Sequence, residues 1–153
     1  MAICENWDLS IDLKLPFQNP GEWINVFGVT IKNPDKENPA LNGQSLPAVW
    51  IHPSSSQLGL NLRVSYWYTE VGSKYHPHDI LTNYDWDSWI NLKVSQTEGM
   101  YEVKVDDVSV HTISNSNTQA WENVKIVMGN TNGWYISAIG EYRNFEFRSC
   151  LQI

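Results

Sequence analysis

From Trp7 to Leu15 every second residue is apolar: Trp7, Leu9, Ile11, Leu13 and Leu15, with Asp8, Ser10, Asp12 and Lys14 between them. A period of two is the repeat of a β-strand with one dry face and one wet face, and no helix can use it. The pattern returns in LGLNLRVSYWY, where Leu58, Leu60, Leu62, Val64, Tyr66 and Tyr68 alternate with Asn61, Arg63, Ser65 and Trp67. It returns again in WINLKVSQ, where Ile90, Leu92 and Val94 oppose Asn91, Lys93 and Ser95. Between such segments lie breaker clusters, PFQNPGE, NPDKENPALNGQ, HPSSSQ, TEGM, SNSNTQ and GNTNG, rich in the residues that make turns. About ten strands without crossover helices predict an all-β fold, a two-sheet antiparallel sandwich of jelly-roll type. No repeat or linker interrupts the series, so residues 1–153 read as one domain.

Charge narrows the partners. The formal net charge is -7, with ten Lys plus Arg against 17 Asp plus Glu, and no basic stripe. A phosphate backbone is repelled on average, so nucleic acid is excluded as a partner class. No run of about 18 apolar residues exists to insert into a bilayer. No signal peptide is visible, since Glu5 and Asp8 follow Met1 closely. The chain is therefore either cytosolic or a mature extracellular domain carrying a start Met. The cysteines favour the second. Cys4 and Cys150 lie near opposite ends; they are either two thiols in a reducing compartment or a bridge in an oxidising one. Terminal placement favours the bridge, provided the first and last strands are neighbours.

The stretch from Trp89 to Val110 reads as two successive hairpins. Glu98-Gly99 turns the chain; Val103 and Val105 then point inward between Glu102, Lys104 and Asp106. Asp106-Asp107 supplies a second tight turn, since Asp tolerates the left-handed conformation better than most residues. Val108 and Val110 return.

These landmarks, in order, carry a resemblance: Trp89 to Gln96, Tyr101 to Val110, Trp121 to Asn130, and Gly140 before RNFEF to Phe147, with WDLSIDLKL and LPAVWI upstream. Together they resemble the laminin G-like branch of concanavalin A-like jelly rolls, over most of the chain. The resemblance implies two curved antiparallel sheets with adjacent termini, as a Cys4–Cys150 bridge requires. Asp107 departs from it, because Gly is usual at that turn position. Galectins share the sandwich, but their His-x-Asn-Pro-Arg and Trp-Gly-x-Glu stretches are missing here, so no galactoside site carries over.

No catalytic motif is visible. Laminarinase-type glycosidases on this fold carry Glu-x-Asp-x-Glu on one strand, and a retaining pair needs carboxyls about 5 Å apart. Here Glu102-Val-Lys-Val-Asp106 has Lys104 in the middle and a turn at its end, which reads as a solvated strand face with cross-strand ion pairs. A glycosidase is thus the weakest rival, and the chain is read as a non-enzyme. KYHPHD offers His76, His78 and Asp79 as transition-metal ligands, although two loop histidines need only be solvated. For calcium, which takes six to eight oxygens, Asp85, Asp87 and Asn130 are the candidates; Asp85 and Asp87 can equally cap a turn.

Aromatics are the last candidates. Among eight Trp and seven Tyr, Trp7, Trp50, Trp89 and Trp121 are expected in the core. Trp67, Tyr75, Tyr84, Trp134 and Tyr135 fall where alternation or loop position predicts exposure, with His76 and His78 beside them. Rings amid polar groups suit sugar stacking or a protein interface. The expectation is a non-enzymatic extracellular recognition or adhesion domain that binds glycan through the 67–87 loops and the Trp134 region, on the concave face or its rim. The rival is a protein–protein or self-assembly module, including a homo-oligomer.

Overall fold

The protein is described here by a computed structural model covering residues 4–15, 24–30, 45–53, 60–65, 77–84, 87–114, 125–128, 136–137 and 139–150. Eleven strands follow in order: β1 (Trp7–Lys14), β2 (Ile24–Thr30), β3 (Ser45–Pro53), β4 (Leu60–Ser65), β5 (Pro77–Tyr84), β6 (Trp89–Thr97), β7 (Met100–Val105), β8 (Val108–Ser114), β9 (Lys125–Met128), β10 (Ile136–Ser137) and β11 (Glu141–Ser149). No helix occurs among the described residues. The fold is an all-β sandwich of two sheets. One sheet runs β11-β1-β6-β7-β8; the other runs β10-β2-β3-β4-β5, with β9 also on β2. Pairing is antiparallel except for the short parallel match of Ile136 and Ser137 with Ile24 and Asn25.

The alternation of β1 is the reason for its place. Trp7, Leu9, Ile11, Leu13 and Leu15 are all buried and meet Ile24, Phe27, Val49 and Ile51 of the other sheet in one cluster. Ile90, Leu92 and Val94 of β6 and Tyr101, Val103 and Val105 of β7 complete it. Trp7 and Tyr101 pack edge to face, with centroids 6.2 Å apart, the geometry ring quadrupoles favour.

Both expected turns are present, and in each the two central residues lie in the left-handed region. Glu98 and Gly99 have φ of 49° and 76°; Asp106 and Asp107 have 50° and 65°. Positive φ at both central positions matches the strand twist, as in a type I′ hairpin. Asp106 compensates for its unfavoured backbone: its carboxylate accepts the Asn91 N–H at 2.8 Å and its own N–H donates to the Asn91 C=O at 2.9 Å.

The first and last strands are neighbours, with Trp7 opposite Ser149. Cys4 and Cys150 form a disulfide there, Cα atoms 4.9 Å apart. The Cys150 N–H donates to the Asn6 C=O at 3.0 Å and the Cys4 N–H to Ser149 Oγ at 2.7 Å.

Two of the tryptophans expected in the core are not there. Trp89 begins β6 on the side opposite Ile90, beside Lys14, and is half-buried. Trp50 is half-buried between the core residues Val49 and Ile51 and therefore faces away from them. Simple alternation within each strand gives the reason. Trp121 lies outside the described residues.

Candidate functional site

Each sheet has a face turned away from the core, and the two differ in kind. On the five-stranded sheet that face is a mesh of paired charges. Arg148 Nε donates to Asp8 at 3.0 Å, Arg143 Nε to Asp12 at 3.3 Å, and Lys14 pairs with Glu141 at 3.1 Å, all between β11 and β1. Lys104 pairs with Glu102 along its own strand at 3.1 Å, and Lys93 pairs with Asp107 of the turn. The ion pairing expected around Glu102 is thus partly within a strand. Burial works against Glu102 ionisation, but the Ser109 hydroxyl and Lys104 outweigh it and hold the carboxyl below its ordinary range. A carboxylate that stays ionised in this way is a poor general acid.

Asp12 is the best-satisfied group of the mesh. Asn91 Nδ2 and Asn144 Nδ2 each donate to it at 2.7 Å, and with Arg143 they hold its pKa below the usual value despite some desolvation. Asn144 reaches it because β11 bulges: Ser10 faces Glu146 while Asp12 faces Arg143, leaving one extra residue, and Asn144 takes φ of 52°. Asn adopts that region more readily than most residues. Trp89 completes the face with the Arg143 guanidinium 3.9 Å from its ring centre, so this ring is already covered by a cation.

The other sheet presents a row of chemically varied residues. Asn25 pairs with Trp50, Trp50 with Arg63, and Arg63 with Asp79, across β2, β3, β4 and β5. Residues directly opposite in a ladder share a face, and Trp50 fixes that face as the one away from the core. Beside the row, His52 stands opposite Asn61. Asn25 is fully buried although it lies on this side, and all of Ile24 to Val29 is buried. This end of the row is therefore a covered floor.

A bulge creates the row. Leu62 faces Leu81 but Arg63 faces Asp79, so Ile80 is the extra residue and Asp79 replaces it opposite Arg63. Bulges of this kind re-aim residues on a strand. Asp79 was visible in the sequence only as a possible metal ligand. Trp50, His52 and Arg63 were missed, although the alternation of Val49 and Ile51 signals the outward place of Trp50 and His52.

The residues singled out from sequence fare unevenly. Cys4 and Cys150 are brought together. His78 and Tyr84 are in strand β5 rather than a loop, opposite Val64 and Leu60; Val64 in turn faces the core residue Val49. Asp87 is exposed, has φ of 65°, and its N–H donates to the Leu15 C=O at 3.0 Å. Asp87 thus ties its backbone to the residue that follows β1. Trp67, Tyr75, His76, Asp85, Asn130, Trp134 and Tyr135 lie outside the described residues. The strand ends that adjoin them in sequence are apart: Ser65 and Pro77 close one end of the sheet, whereas β10 enters at the other, beside Ile24. Among the described residues no three His, Cys, Asp or Glu gather as metal ligands, and no helix is long and apolar enough to cross a membrane.

No known family and no curated protein matches the sequence. Solved structures do match in shape. A heptameric SAP-like pentraxin from Limulus polyphemus is 14% identical with a TM-score of 0.60, over 95% of this chain and 64% of that one. The carbohydrate binding module CBM66 from Bacillus subtilis is 11% identical with a TM-score of 0.53, over 97% and 78%. A marine PL7 alginate lyase from Zobellia galactanivorans is 13% identical with a TM-score of 0.58, over 97% and 64%. The chain thus spans about two thirds of the length of the pentraxin and the lyase. At these identities the likeness establishes the fold: this chain is similar to concanavalin A-like jelly-roll sandwiches, among which binding modules and enzymes both occur.

Proposed function

We propose that residues 1–153 form one extracellular carbohydrate-binding sandwich, without catalytic activity, whose saccharide lies along the outward face of the β2-β3-β4-β5 sheet. The register row Trp50–Arg63–Asp79, with His52 beside it, is the observation that carries the reading. A sugar offers C–H faces that stack on a ring and hydroxyls that need both donors and acceptors; an indole flanked by guanidinium, carboxylate and imidazole positions supplies that set. The carbohydrate binding module and the alginate lyase lend the fold a setting in which saccharides are bound. Trp67, Tyr75, His76, Trp134 and Tyr135 remain the further ligand-binding candidates offered by the sequence, and Asp85, Asp87 and Asn130 the candidate calcium ligands. The disulfide fits an oxidising compartment.

A glycan array, run with and without chelator, tests this reading. Binding is expected, and Trp50→Ala, Arg63→Ala, Trp67→Ala and Trp134→Ala should each weaken it about tenfold or more, the effect of about 1.4 kcal/mol. Wild-type binding in Trp50→Ala and Arg63→Ala together would remove the sheet face as the site. Release of new reducing ends from a bound polysaccharide would overturn the non-catalytic reading. An empty array together with self-association in sedimentation would replace it with the protein-interaction one.

A further inference from the structure

Charge on the sheet that carries the Trp50–Arg63–Asp79 row is sparse. Among its described strands Arg63 is joined by one further Lys or Arg, Lys125, which stands on β9 opposite Thr30. Strand β9 lies on the far side of β2 and β3 from β4, so Lys125 is remote from the row. On the other sheet each Lys and Arg of the outer face is already paired with a carboxylate. Arg63 is therefore the one cation placed in the row to meet a charged sugar.

What faces Arg63 is set by the bulge on β5. Leu62 faces Leu81, so an unbroken ladder would bring Ile80 opposite Arg63; the extra residue puts Asp79 there instead. Opposite charges at facing positions stabilise a ladder, and the row's single positive charge is matched at its own register position. An acid in that place repels the carboxylate or sulfate of an acidic sugar where an unmatched guanidinium would attract it. The chain as a whole carries a net charge of -7, which lowers the concentration of polyanions around it further.

We infer that the ligand of this row is a neutral glycan, with free hydroxyls in place of uronate, sulfate or phosphate groups, and that Asp79 turns acidic glycans away. The inference rests on the reading of the row as a saccharide site and names the class of saccharide. A polyuronate carries a carboxylate on every unit, and each would need a cation that is not already matched. A hydroxyl both donates and accepts, whereas a guanidinium only donates and a carboxylate only accepts. Adjoining Arg and Asp positions thus suit a pair of neighbouring hydroxyls and leave no net charge for an anion.

The test measures binding of wild type, Trp50→Ala and Asp79→Asn to polysaccharides by isothermal titration, at low and at high sodium chloride. Mixed-linkage β-glucan, mannan and inulin are the neutral arms; alginate and polygalacturonate are the acidic ones. Melting temperatures show that both variants are folded. Wild type is expected to bind a neutral arm, with affinity changing less than about twofold between the two salt conditions because no charge is screened, and to ignore both acidic arms. Asp79→Asn leaves Arg63 facing an amide, so it should gain binding to an acidic arm at low salt and lose it at high salt. Wild-type binding to alginate or polygalacturonate that weakens with salt and disappears in Trp50→Ala would overturn the neutral class while leaving the row as the site. Neutral binding with Asp79→Asn still silent toward both acidic arms would overturn the part assigned to Asp79. No binding to any arm would overturn the saccharide site itself, and the inference with it.

Discussion

Replacing Cys4 and Cys150 together by alanine removes a cross-link between residues 146 positions apart. In the folded protein the ends are held without it. Trp7 pairs with Ser149, Cys150 N–H bonds to Asn6, and Cys4 N–H bonds to Ser149. The bridge therefore acts mainly on the unfolded chain, whose freedom it restricts. For a loop this long the chain-entropy argument gives about 5 kcal/mol at 25 °C, and removal of native bridges from small domains costs about 2–5 kcal/mol. A protein of this size loses about 2–4 °C of melting temperature per kcal/mol, so a fall on the order of 10 °C is expected. Urea titration at 10 °C, near maximal stability, should show a lower midpoint and a larger m-value, because the uncrosslinked chain unfolds to a more exposed state. The far-ultraviolet circular dichroism of the folded variant should match wild type. A melting-temperature loss under about 3 °C would refute the entropic reasoning. So would a native spectrum already lost at 10 °C, since the bridge would then be holding β1 and β11 in place.

Three further outcomes follow from local geometry. Gly140→Ala places a methyl 2.7 Å from Leu15 Cδ2 and 2.9 Å from the Lys14 C=O; because the second neighbour is backbone, a loss of about 1–3 kcal/mol is expected in denaturant unfolding, and a neutral result would refute the clash. Asp12 has its pKa lowered by Asn91, Asn144 and Arg143, so its stabilising effect is present above its unfolded value near 3.8 and is lost as pH falls through the lower folded value; Asp12→Asn should flatten acid destabilisation below about pH 4, and an unchanged acid limb counts against the network. Asp107→Gly relieves a φ of 65° and creates the Asp-Gly pair that suits this turn. Measured at high salt, where the exposed Lys93 pair contributes little, it should gain about 0.5–1 kcal/mol, and a loss would show that the Asp107 backbone is not strained.

Much of the scaffold was legible in the chain. The dry residues of β1, β6 and β7 are those the alternation names, and both hairpin turns fall on the residue pairs that tolerate left-handed backbone. The site was less legible. Trp89 and Trp50 were expected at inward positions, whereas the parity of their own strands turns them outward. His78 and Tyr84 were expected in a loop, yet Pro is tolerated as the first residue of a strand, and β5 begins at Pro77 and runs to Tyr84.

Sequence alone determined the class of fold, since a period of two leaves antiparallel sheets as the way to bury one face of each strand. It also placed the cysteines so that a bridge would follow if the end strands met. Only the tertiary structure decided which residues share a face across strands, because register is a relation between segments distant in sequence. The extra residue at Ile80 sets Asp79 opposite Arg63, and the pairing of β6 with β7 sets Lys93 opposite Lys104. Neither meeting can be read from a local pattern: a shift of one residue in a strand exchanges its faces and dissolves the meeting.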